Sequence, residues 1–112
     1  MGSETFGQKI GLMASSLVLG LAKVVLHLPD SSSLKAKRQV VSGLLRRVRA
    51  RFQVAAAEVG ERDRWQLAEL AVVCVSAEGS HADEVLAKVL SYIESHSDGA
   101  RITDVSTELI RI

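Results

Sequence analysis

A chain of 112 residues with 47% hydrophobic and 4% aromatic side chains has the length and apolar content of one globular domain with an aliphatic core, which excludes a two-core architecture and a disordered tail protein. The formal net charge of +1 implies no polyanion partner by itself. The charge is unevenly placed, however: residues 31–57 carry +7 with no acid, and the rest of the chain carries −6, a separation that can steer an anionic partner at near-zero total charge.

Residues 1–12 are patternless, and Met13 stands just before the first strand-like run. Residues 1–13 are therefore expected to be an N-terminal extension or tag remnant, and residues 14–112 a single domain. Gly11 to Leu28, preceded by Lys9, is apolar enough to mimic a signal peptide or short membrane span. Lys23 and His27 interrupt the run, Pro29 ends it, and its β-branched residues and Gly20 favour a strand; no membrane role is expected. Over Ser15 to Leu28, Val18, Ala22, Val24, Leu26 and Leu28 would face one way. Leu17, Leu19, Leu21, Lys23, Val25 and His27 would face the other. Both faces are largely apolar, so the second is expected to meet a copy of itself, a terminal segment or a ligand.

Pro29 stops the strand because it lacks an N–H, and the serines after Asp30 can cap the first turn of a helix. Val40, Val41, Leu44, Leu45, Val48 and Phe52 recur at helical spacing and form one buried stripe. On a wheel of about 100° per residue, Lys35, Arg38, Ser42, Arg46 and Arg49 share the opposite face, flanked by Arg47 and Arg51, while Lys37 leans toward the apolar side. Like charges three or four apart cost a few tenths of a kcal/mol per pair, so local helix stability does not explain the row. Interaction with the negative helix C-terminus suits Arg47, Arg49 and Arg51; the alternative is an anionic partner.

Gln53 to Val59 reads as a short strand, Gly60 to Arg64 as a charged turn and Trp65 to Ser76 as a longer strand, together a hairpin that Trp65 would help to close. Cys74 is the only cysteine, which rules out an intramolecular disulfide and fits a core residue in a reducing, cytoplasmic setting. Ser80, with Asp83 three residues on, forms a capping box for a second helix whose stripe is Ala82, Val85, Leu86, Val89, Leu90 and Ile93. Asp98-Gly99 ends it, and Arg101 to Ile112 is the last strand. Strand, helix, strand, strand, helix, strand predicts an α+β, ferredoxin-like split β-α-β: a four-stranded antiparallel sheet with two helices on one face and strands one and three in the centre.

Leu28-Pro29-Asp30-Ser31, the block Ser33-Leu34-Lys35-Ala36-Lys37-Arg38, and then Ala57-Glu58-Val59, Asp63 and Trp65 resemble the YlxP-like family of small bacterial proteins. The similarity runs from about Leu17 to Ile110, and the serine-leucine-lysine-x-lysine-arginine block is its most specific part. The chain departs from the family in its longer N-terminal extension and in Gln53, where members often carry asparagine. The resemblance implies the ferredoxin-like fold and transfers no catalytic residue. The family's genes typically lie among those for transcription elongation, translation initiation and ribosome maturation factors, which implies a ribosomal or RNA-linked role.

Ser80, His81 and Asp83 contain triad residue types within one helical turn, where capping accounts for them and no nucleophile-elbow pattern surrounds them. His27, His81 and His96 lie on three elements without ligand spacing, and Glu58, Glu61 and Asp63 alternate with Arg62 and Arg64 as a solvated turn. No phosphate loop occurs. The chain thus reads as a non-enzymatic protein without cofactor or metal. Lys35, Lys37, Arg38, Arg46 and Arg49 are the expected contacts to ribosomal or other RNA through phosphates. Base stacking on the sheet is not expected, because strand one offers Leu19, Leu21 and Val25 where RNA-recognition sheets place aromatics. The alternative is a self-associating module, a homodimer burying Leu19, Leu21 and Val25, with the basic helix merely solvated.

Overall fold

The computed structural model describes residues 16–112; the extension expected over residues 1–13 lies outside them. The elements are β1 (Val18–His27), α1 (Leu34–Phe52), β2 (Ala55–Gly60), β3 (Leu67–Ser76), α2 (Gly79–Ser95) and β4 (Arg101–Arg111). The strands form one antiparallel sheet in the order β2-β3-β1-β4, the ferredoxin-like arrangement with β1 and β3 central.

Alternation along β1 sorts its side chains between two environments. Val18, Ala22, Val24 and Leu26 are buried beneath the helices beside Ala68, Leu70, Val72 and Cys74 of β3. From above, α1 supplies Val41, Leu44, Leu45 and Val48, and α2 supplies Ala82, Leu86, Val89 and Ile93. The core is aliphatic, as the composition requires. Gly20 lies under α2: a Cβ there would meet Cys74 Sγ at 2.9 Å and Ala82 Cβ and Leu86 Cδ1 at 3.2 Å. The missing side chain sets how near the helix approaches the sheet.

Ser33 caps α1, its hydroxyl accepting from the Ala36 amide at 3.0 Å. Gln53 ends the helix in the left-handed region (φ 54°), and its amide bonds Arg49 O. The second cap departs from the capping box read in the sequence. Helix α2 begins at Gly79 with Glu78 at the cap position and no side-chain cap bond. Ser76 Oγ accepts from the Glu78 amide at 3.0 Å, a local turn that starts the helix one residue before Ser80. Strand β3 also starts later than its apolar run suggested: Trp65 lies outside it, 54% exposed, and does not close the hairpin by packing.

Candidate nucleic-acid interface

Helix α1 lays its apolar stripe on the sheet, so the arc opposite faces away from the core. Lys35, Arg38, Ser42, Arg46 and Arg49 are all exposed there. Among the described residues, no carboxylate lies within 4.0 Å of the four cations. Arg49 is partly committed, because its Nη1 donates to Ala56 O on β2 at 2.9 Å. Lys35, Arg38 and Arg46 remain as freely presented charges. Helical side chains lean toward the N-terminus, and Arg46 and Arg47 lean over Gly43, where a Cβ would meet Arg47 Nη1 at 3.4 Å and Arg46 Nη2 at 4.0 Å.

Lys37 does not belong to this row. It is completely buried, with Nζ 2.9 Å from the Glu58 carboxylate. Nζ donates to Glu61 O at 2.7 Å, Leu67 O at 2.9 Å and Arg62 O at 3.3 Å. An ammonium has three protons, and the three carbonyls take them. Glu58 therefore balances the charge without its own hydrogen bond, and its buried Oε2 has no donor partner among the described residues. No phosphate reaches Lys37. The reason is angular: Lys37 sits on the wheel between Val41 and Leu44, inside the buried stripe. It ties α1 to the β2–β3 hairpin, whose Glu61 carbonyl also accepts from the Arg64 amide at 3.1 Å while Glu61 itself is left-handed (φ 57°).

The cationic surface continues into the groove between the helices. Arg47 donates from Nε to the Tyr92 hydroxyl at 3.2 Å and from Nη2 to His96 O at 3.0 Å. Arg51 stands over the Tyr92 ring at 5.2 Å, His96 stacks on that ring at 4.2 Å and 9°, and Phe52 meets it edge-on at 5.6 Å. Lys88 lines the same groove. These arginines are held by carbonyl, hydroxyl and aromatic groups, and neither has a carboxylate partner among the described residues. Sequence reasoning did not single out Tyr92 and weighed His96 only as a metal ligand; Tyr92 lies three residues after Val89 and His96 three after Ile93, which sets both at the edge of the α2 stripe that faces α1.

On the other side of the sheet, Leu19, Leu21 and Val25 lie on the uncovered face and are half-buried by their neighbours. Register pairs Leu19 with Val75 and Ile110, Leu21 with Val73 and Glu108, and Val25 with Glu69 and Asp104. Paired residues share a face, so the end of the sheet around Leu19 is apolar while the end around Val25 is mixed. Between them, exposed Lys23 pairs with half-buried Glu69 at 3.5 Å. No helix among the described residues is long and apolar enough to cross a membrane.

Residues 19–107 match the model of a family described as "Protein of unknown function (DUF503)". The chain is 33% identical over 78 residues to the "Uncharacterized protein YlxP" of Bacillus subtilis (strain 168), covering 70% of this chain and 85% of that one. Among solved structures, the de novo designed protein Foldit4 is similar with a TM-score of 0.49 and 13% identity over 84% of this chain and 96% of that one. The de novo designed protein LFR1 1 with ferredoxin fold gives a TM-score of 0.44 and 13% identity, covering 84% of this chain and 83% of the design. The fold itself rests on strand order and register, and the match across residues 19–107 together with the YlxP identity places this chain in the DUF503 family of small, YlxP-like proteins.

Proposed function

We propose that this protein is a non-catalytic, cytoplasmic RNA-binding protein that docks the outer face of α1 on the phosphate backbone of structured RNA, with ribosomal RNA as its expected partner. The supporting observation is the row Lys35, Arg38, Arg46 and Arg49, exposed and without a carboxylate partner among the described residues. Each cation that neutralises a phosphate releases condensed counterions, so affinity falls with salt by about 0.7 to 0.9 log units per log of salt for each contact. Three free cations predict a slope of roughly −2 to −3 from this row. The test is RNA binding by the variant Lys35→Glu, Arg38→Glu, Arg46→Glu, which spares the Arg49 bond to β2. Loss of salt-sensitive binding with an unchanged melting temperature is expected; retained binding would remove the helix from the interface.

The uncovered sheet face favours a second, compatible reading. Val75 is 68% exposed and Ile110 37%, and register sets both beside Leu19, an apolar patch suited to a second copy of the chain. A homodimer through this face should resist salt and dissociate on Leu21→Lys or Val25→Lys, as read by sedimentation velocity. Unchanged sedimentation of those variants and the parent would exclude it.

A further inference from the structure

The hairpin tip held by Lys37 presents the chain's single tryptophan to solvent. Trp65 is 54% exposed and borders an open recess of about 560 Å³ with His27, Arg64, Gln66 and Leu67. His27 and Leu67 are register partners on the uncovered face, and His27 pairs on its other side with Arg101 of β4. One row across the sheet thus runs leucine, histidine, arginine, with the tryptophan at its hairpin end.

The scaffold is unusually fixed for a loop. Three carbonyls around the tip accept from the buried Lys37 ammonium. Gln66 Nε2 donates to Pro29 O at 3.1 Å and to Ser31 O at 3.4 Å, and Leu28 N bonds Gln66 O at 2.8 Å. An exposed aromatic on a preorganised loop offers contact area without an ordering cost at binding. The residues lining the recess include no carboxylate. Among the described residues Arg64 pairs with Glu61 alone, at 3.6 Å with both side chains well exposed, a pair weak enough to be exchanged for a phosphate.

We propose that this recess is a shelf for unpaired nucleobases of single-stranded RNA, with Trp65 and His27 as stacking surfaces and Arg64 and Arg101 as contacts to the flanking phosphates. Stacking accepts any base because every base has a π-face, so the shelf reads unpairedness, not sequence. The aliphatic centre of the sheet lies outside it, and the site is confined to the hairpin end. This inference rests on the RNA-binding reading of α1 and adds to it the kind of RNA: a strand with exposed bases beside a structured backbone.

Tryptophan emission reports only on Trp65. Titration with a ten-nucleotide oligoadenylate at low salt is expected to quench it saturably, while duplex RNA leaves it unchanged. Anisotropy of the labelled oligonucleotide should show Trp65→Leu weakening binding roughly tenfold or more, the scale of losing one stacking aromatic, with duplex binding retained. Arg64→Ala with Arg101→Ala should weaken oligonucleotide binding and lower its salt slope. Oligoadenylate that fails to bind, binds without changing the emission, or binds Trp65→Leu as tightly as the parent overturns the shelf. Emission that responds to protein concentration and not to oligonucleotide also overturns it and makes Trp65 a protein contact. The two readings fail separately: duplex binding that survives Lys35→Glu, Arg38→Glu, Arg46→Glu while the oligonucleotide still quenches Trp65 refutes the helix alone, and duplex binding that survives Trp65→Leu without any oligonucleotide effect refutes the shelf alone.

Discussion

Lys37 and Arg38 are adjacent basic residues with opposite fates, and the difference is one step of about 100° around a helix. Arg38 is exposed, whereas Lys37 enters the core stripe and ends on three carbonyls and a carboxylate. A buried pair is costly to assemble and more costly to break, because the survivor is left uncompensated. Lys37→Met should therefore destabilise the protein by about 3 kcal/mol or more in urea unfolding. Adding Glu58→Leu should restore part of that loss, and full additivity of the two changes would contradict the pairing. The angular lean of Lys37 was legible in the sequence, but its partners were not, since they come from a hairpin more than twenty residues later. Trp65 misled for a related reason: an apolar residue beside a strand pattern reads as packing, and only the later strand start reveals it as exposed.

Both helices and all four strands were legible from period and punctuation, because an aliphatic core must repeat at the pitch of the element that buries it. Ser33 caps as the serine run suggested. The α2 cap did not follow, because a turn through Ser76 competes successfully for the start of the helix. Gly20 shows where an element's sequence encodes its neighbour. A side chain there would collide with Cys74, Ala82 and Leu86, so Gly20→Val should cost about 1–3 kcal/mol by overpacking. A melting temperature equal to the parent's would show that α2 is free to lift from β1. Along α1, the wheel separated the cationic row correctly but not its members. Arg49 has a structural bond to Ala56 O, so Arg49→Glu alone should lower stability slightly as well as weaken RNA binding, whereas Arg46→Glu should affect binding only. Thermal melts beside binding curves separate the two effects.

The described residues present two unlike surfaces: an outer face of α1 whose cations have no carboxylate partner among them, and a bare sheet face, apolar near Leu19 and mixed near Val25. Two-sided hydrophobicity of β1 made the bare face legible in the sequence, while nothing in the sequence alone set His27 beside Arg101 and the hairpin tip. If the sheet face pairs two copies, the cationic helices point outward from the dimer and the RNA surface is doubled. Dimer dissociation by Leu21→Lys should then weaken binding to a long RNA more than to a short duplex, because linked sites raise effective concentration. Equal losses on both RNAs would argue that each protomer binds alone. Contact between α1 and ribosomal RNA is tested most directly by co-sedimentation with bacterial ribosomal subunits across a salt series, for the parent and for Lys35→Glu, Arg38→Glu, Arg46→Glu. Binding by the parent at low salt should decline steeply as salt rises and be lost in the folded variant. Equal binding by parent and variant, or no binding by the parent at low salt, would contradict it.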